Sequence, residues 1–114
     1  MAFRITITDE AEAQLHALSA REQRTIEAAI VARLGHLPTT PTKAIKRLRP
    51  NPVAEFELRA GDLRVLYDVA DEEVIVLVIG HKVGNKLVVG GEEFHEHQAD
   101  PPESAGGGSA GDSE

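Results

Sequence analysis

The run from Glu55 to Lys82, E-F-E-L-R-A-G-D-L-R-V-L-Y-D-V-A-D-E-E-V-I-V-L-V-I-G-H-K, restricts the chain more than any other segment. Two short alternating stretches meet at Gly61-Asp62, a dipeptide suited to a two-residue hairpin because glycine tolerates positive φ at the first central position. If Ala60 pairs with Leu63, then Arg59 lies opposite Arg64, Leu58 opposite Val65, Glu57 opposite Leu66 and Phe56 opposite Tyr67. Side chains alternate with period two, so Phe56, Leu58, Leu63, Val65 and Tyr67 share an apolar face. The other face then carries Glu55, Glu57, Arg59 and Arg64. A three-residue turn would set Leu58 against Arg64 and mix the faces, so the pattern selects the shorter bend. Arginines directly across a ladder repel each other. They call for an anion nearby, either Glu57 on the diagonal or a phosphate.

Upstream, Phe3 to Ile7 alternates as a first strand and ends at Thr8, an N-cap ahead of Asp9 and Glu10. Ala11, Leu15 and Leu18 then predict a short amphipathic helix. Ser19-Ala20-Arg21-Glu22 is a capping box, so a second helix starts at Ala20. Its core stripe is Ile26, Ala29, Ile30, Leu34 and Leu37, and it stops before Pro38 with Gly35 in its last turn. Residues 38–53 read as an irregular connection anchored by Ile45 and Leu48. The apolar run V-I-V-L-V-I (74–79) demands cover on both faces. One cover is the helix pair, and the other is the carboxyl-terminal part of the chain or a partner. The expected fold is α+β, in the order β-α-α-β-β-β, with a helical hairpin on one face of an antiparallel sheet.

Lys86 to Val89 predicts a short edge strand, and Glu92 to Gln98 a helical turn. Residues 1–98 form one domain in this reading, and 99–114, with no apolar side chain larger than alanine, are a disordered acidic tail. The charge distribution sharpens that division. Residues 1–90 hold twelve Lys and Arg against twelve Asp and Glu, whereas the last 24 hold seven acids and no base, which accounts for the whole net charge of -7. The acidic balance is therefore no argument against an anionic partner for the folded part. With no cysteine among the 114 residues, disulfides and thiol catalysis are excluded. No leader or membrane span is evident, and a cytoplasmic protein is expected.

The order strand, helix, helix, basic connection, E-L-R-A-G-D-L-R-V-L-Y and V-I-V-L-V-I-G-H-K resembles the RelE/ParE family of bacterial toxin-antitoxin toxins, over Phe3 to Lys82. The resemblance implies a small toxin held inactive by a cognate antitoxin whose segments wrap it. It implies, as leading activity, cleavage of messenger RNA on the ribosome, which inhibits translation. The alternative is a non-catalytic binder, either a poison of DNA gyrase or a non-toxic regulatory member. No cofactor is expected.

Cleavage with the 2′-hydroxyl as nucleophile needs a base, a cation against the developing phosphorane charge and an acid for the leaving 5′-oxygen. Ribonuclease-type members carry two lysines flanking the hydrophobic residue before L-R; here those positions are Glu55 and Glu57. Arg64 keeps the arginine of the R-V-L-Y strand, and Lys82, beside His81, keeps the basic position after the last core strand. The expected tyrosine is absent, with Val88 near its place. Since some members use a glutamate base with an arginine and a histidine, the implied catalytic set is Glu57 or Glu55 with Arg64, His81 and Lys82.

Lys43, Lys46, Arg47, Arg49 and Arg59 are the candidate RNA-binding residues. The plainer reading is a solvated loop, and a cross-strand Glu57–Arg64 ion pair contributing at most about 1 kcal/mol. Phe3, Phe56, Phe94 and Tyr67 are the only aromatic residues, too few to bind free single strands by stacking, so any RNA would be presented by the ribosome. His95-Glu96-His97 has unspecific spacing for zinc, and no metal site is assigned.

Overall fold

In the computed structural model, which describes residues 3–90 and the backbone of 92–94, the hairpin forms in the expected register. Strand β3 (Phe56–Ala60) pairs antiparallel with β4 (Leu63–Ala70), with Arg59 opposite Arg64 and Phe56 opposite Tyr67. Gly61 opens the bend at φ 61°. The same device recurs at Asp71 (φ 57°), Gly84 (φ 61°) and Gly90 (φ 61°). These bends join β4 to β5 (Glu73–Val83), β5 to β6 (Lys86–Val89) and β6 to β7 (Glu92–Phe94). A positive φ at the first central residue matches the twist of the flanking strands, which is why a short loop suffices each time. Glu92–Phe94 is thus a strand and not the start of a helical turn, because the bend at Gly90 returns the chain along β6.

Helix α1 (Asp9–His16) is capped by Thr8, whose hydroxyl accepts from the Ala11 N–H at 3.2 Å. Helix α2 (Ala20–Ala29) starts on the reciprocal Ser19–Glu22 capping box. It continues as a π-helical turn over Ile30–Leu34. That wider turn keeps both Ile30 and Leu34 in the core but shifts the phase of the residues beyond it. Leu37, expected on the stripe, is consequently 65% exposed, while Pro38 is buried and its carbonyl accepts from the Tyr67 hydroxyl at 2.5 Å.

Among the described residues the sheet runs β2-β3-β4-β5-β6-β7, and β1 (Arg4–Ile7) pairs parallel with β5. Strand β2 (Ile45–Arg47) lies inside the stretch expected to be irregular. Its K-R residues show no alternation, and a three-residue edge strand leaves little pattern to read. Both helices cover one face, burying Leu15, Ile26, Phe56, Leu58, Val65, Tyr67 and Val76. On the open face a second cluster holds Ala54, Leu66, Val78 and Leu87, with Leu48 and Val53 packed against it. The cover that β5 required on that side includes the 48–54 connection. Asn51 shapes this connection: its amide donates to the Arg49 and Ala54 carbonyls at 2.7 and 3.0 Å, and its carbonyl accepts from the Val53 and Ala54 N–H groups at 2.8 and 3.1 Å.

Strand β5 departs from simple alternation. Its ladder with β4 slips between Leu66 and Tyr67, which pair with Val78 and Val76 and leave Leu77 as an extra residue. Such a bulge reverses the facing of every later side chain. Val74 and Val76 face the helices, Leu77 and Val78 join the open-face cluster, and Ile79 returns to the helix side. Beyond Val76, where β1 ends, the Ile79 N–H donates to the side-chain oxygen Oε1 of Gln14 on α1 at 2.9 Å. The expected 99–114 tail and His95-Glu96-His97 lie outside the described residues.

A Cβ on Gly80 would sit 2.5 Å from the Val88 carbonyl oxygen and 2.8 Å from a Val89 methyl. Since backbone must move to admit it, Gly80→Ala should destabilise by about 1–3 kcal/mol in urea unfolding. Space is open at Gly61, so Gly61→Ala should lose only the left-handed backbone term, about 1 kcal/mol, while Asp71→Gly gains up to a similar amount.

Candidate functional site

The open face is set by the hairpin register. Glu57, Arg59 and Arg64 project from it, with Lys46 of β2 directly across from Glu57. Glu57 is 5% exposed and is the buried charged residue of this face. Burying a carboxylate requires a partner, and Arg59, two residues along the same strand, supplies it with Nε 3.4 Å from Oε1. The ion pair therefore runs to Arg59 and not to Arg64. Arg64 instead turns back on its own bend and donates from Nη1 to the Gly61 and Leu63 carbonyls at 2.7 and 2.9 Å. The two facing arginines are thus kept apart by different acceptors, one a carboxylate and the other a pair of peptide oxygens.

Beside this face, Pro41, Thr42, Lys43, Ile45, Lys46, Arg47 and Arg59 line a groove of about 600 Å³. Thr42 orders its rim: the hydroxyl accepts from the Ala44 and Ile45 N–H groups at 3.0 and 3.1 Å. The Arg47 guanidinium lies 5.1 Å from the centroid of the Phe56 ring, which itself stacks on Tyr67. This holds the cation at the sheet edge without neutralising it. A second, smaller groove of about 290 Å³ continues past Arg47 to Arg49, Asn51 and Glu55. Among the described residues, Lys43, Lys46, Arg47 and Arg49 form no ion pair. Four of the five candidate RNA-binding residues line the first groove, and Arg49 lines its continuation with Glu55. Thr42 and Asn51, which give both grooves their backbone shape, were not singled out from sequence; the P-T-K and P-N-P contexts are their only signal.

The implied catalytic set is divided between the two faces. Strict alternation from Val74 and Val76 would put His81 on the open face, but the extra residue at Leu77 turns it to the helix side, opposite Leu63. There its Nε2 lies 2.9 Å from Oε2 of Glu22. The same register turns Lys82 toward the open face, across from Leu87. Glu57, Arg64 and Lys82 thus share a face that His81 does not. The His81 ring, the Ser19 N–H and the Ser19 hydroxyl stabilise the charged form of Glu22, holding its carboxyl below the ordinary 4.5 despite an opposing desolvation effect. Burial pushes the Tyr67 phenol strongly upward, so it acts as a hydrogen-bond donor to Pro38 and not as an acid. No group of His, Cys, Asp or Glu side chains that could hold a metal occurs among the described residues.

Residues 5–84 match the family described as the ParE toxin of the type II toxin-antitoxin system, parDE. The chain belongs to that family of toxins. Its fold is similar to a chain of the RelBE2 toxin-antitoxin complex from Mycobacterium tuberculosis, with 26% identity and a TM-score of 0.57 over 72% of this chain and 100% of that one. It is also similar in fold to a chain of the archaeal RelE-RelB complex from Pyrococcus horikoshii, at 22% identity and a TM-score of 0.60 over 75% of this chain and 99% of that one. A comparison with curated proteins found no match.

The lowered carboxyl of Glu22 gives a signed prediction. A folded-state value below the unfolded one adds stability that is present above the unfolded value and disappears as pH falls through the folded one. Glu22→Gln should therefore lose less stability than the parent as pH falls below the ordinary carboxylate value of 4.5. Urea unfolding across that window measures the difference, and parallel curves would remove the assignment.

Proposed function

We propose that this toxin inhibits translation by cutting messenger RNA presented on the ribosome, with the phosphate backbone lying along the cationic groove. The observation that carries the reading is the set of Lys43, Lys46 and Arg47, cations without carboxylate partners among the described residues, beside the pair formed by the buried Glu57 and the exposed Arg59. In this scheme Glu57 takes the proton of the 2′-hydroxyl as Arg59 moves from the carboxylate to the substrate phosphate. The 2′-oxygen attacks phosphorus, a 2′,3′-cyclic phosphate forms and the P–O5′ bond breaks. Arg59 and Arg64 face the phosphorane charge, and Lys82 supplies the proton to the departing 5′-oxygen. Glu55, at the rim of the second groove, is the reserve base. His81, on the far face, is left out of the set.

The site of action is the cytoplasm. No described helix is long and apolar enough to cross a membrane, which is compatible with that site. A cognate antitoxin is the expected protein partner, since the two similar structures are toxin-antitoxin complexes.

A second reading has its own support. The matched family carries the ParE designation, and Glu57 and Arg64 are each engaged within the fold, which suits a face that docks on DNA gyrase without chemistry. Induced expression with message ends mapped separates the two readings. Cutting near codon boundaries should fall by about 10²-fold or more in Glu57→Gln and be little changed in His81→Ala. Growth arrest with intact messages and DNA damage would replace the nuclease reading by the gyrase one.

A further inference from the structure

The groove cations stand in a protein whose net charge is -7. The twenty residues after Phe94 carry Glu96, Asp100, Glu103, Asp112 and Glu114 and no Lys or Arg. Opposite charge of this density is attracted over a Debye length, and the attraction weakens sharply with salt. We propose that the distal acidic part of the chain, residues 103–114, occupies the cationic groove of its own chain, through Lys43, Lys46, Arg47 and Arg59, and competes there with any other polyanion. The proposal rests on reading the groove as a polyanion site and adds an occupant carried by the toxin itself.

Topology makes the contact reachable. Strand β7 lies at the opposite sheet edge from β2, five strand spacings away, or roughly 24 Å. Yet β7 runs so that Phe94 lies beside Leu87, Leu87 beside Lys82, and the Lys82 N–H donates to the Asp62 carbonyl at the hairpin bend. The Arg59 N–H in turn donates to the Ala44 carbonyl. The chain therefore leaves β7 at the end of the sheet where Lys43 and the groove rim lie. For twenty residues, random-coil dimensions are about 22–27 Å root-mean-square, and full extension reaches further. That matches the separation, and tethering gives an effective concentration on the order of millimolar.

The test compares the full chain with one carrying Glu96→Gln, Asp100→Asn, Glu103→Gln, Asp112→Asn and Glu114→Gln. Amide NMR spectra at about 20 mM salt should differ at Lys43, Lys46, Arg47 and Arg59, by the same amount at every protein concentration, and should converge near 500 mM salt. Unchanged groove amides at low salt overturn the proposal. Differences that grow with protein concentration assign the contact to a second copy and overturn it as well. In parallel, an oligouridylate probe should bind the neutralised chain about tenfold more tightly at low salt, with the gap closing as salt rises. If neither chain binds the probe, the nucleic-acid reading of the groove fails, while the amide comparison still decides the intramolecular contact.

Discussion

Strand β5 is the member on which the other elements depend, because it is covered on both faces and paired along both edges. Strand β4 holds one edge; β1 and then β6 share the other, and Gln14 of α1 fills the interval between them. Where β5 is buried, at Val78, Ile79 and Gly80, no solvent is present to satisfy a misplaced amide. Its one extra residue, Leu77, is accommodated because the ladder resumes at once with Val78 opposite Leu66. The close approach of β6 behind it leaves no room for a side chain at position 80.

The charged face shows how like charges are tolerated on one sheet. Arg59 and Arg64 are directly opposed, an arrangement that repulsion disfavours. Each guanidinium finds a separate acceptor, so neither relies on the other's counter-ion. Arg47 is held by an aromatic ring. Positive potential therefore survives at the sheet edge of an acidic protein, and local placement of charge describes the surface better than its sum.

In the proposed scheme this face binds phosphate before it does any chemistry. Glu57 is buried and paired with the exposed Arg59, so in that scheme the base is freed only when substrate draws the arginine away. That coupling ties catalysis to binding in the proposed scheme. His81 joins the N-terminal turn of α2 to β5 through Glu22.

The local elements were readable because their causes are local. The capping box at Ser19, the cap at Thr8 and the bend at Gly61 each depend on a few adjacent residues, and all appear where expected. The basic residues of 43–49 were likewise visible as a cluster, although β2 among them was not. Three features had no local signature: the π turn that exposes Leu37, the Asn51 network that covers the open face, and the bulge at Leu77. By itself the sequence determined which residues form the hairpin and which side of it carries Glu57, Arg59 and Arg64, since alternation about a tight bend admits one register. Only the tertiary structure decided that His81 leaves that side and Lys82 joins it. One residue added to a strand inverts everything beyond it, and whether a strand takes that residue is settled by its neighbours on both edges.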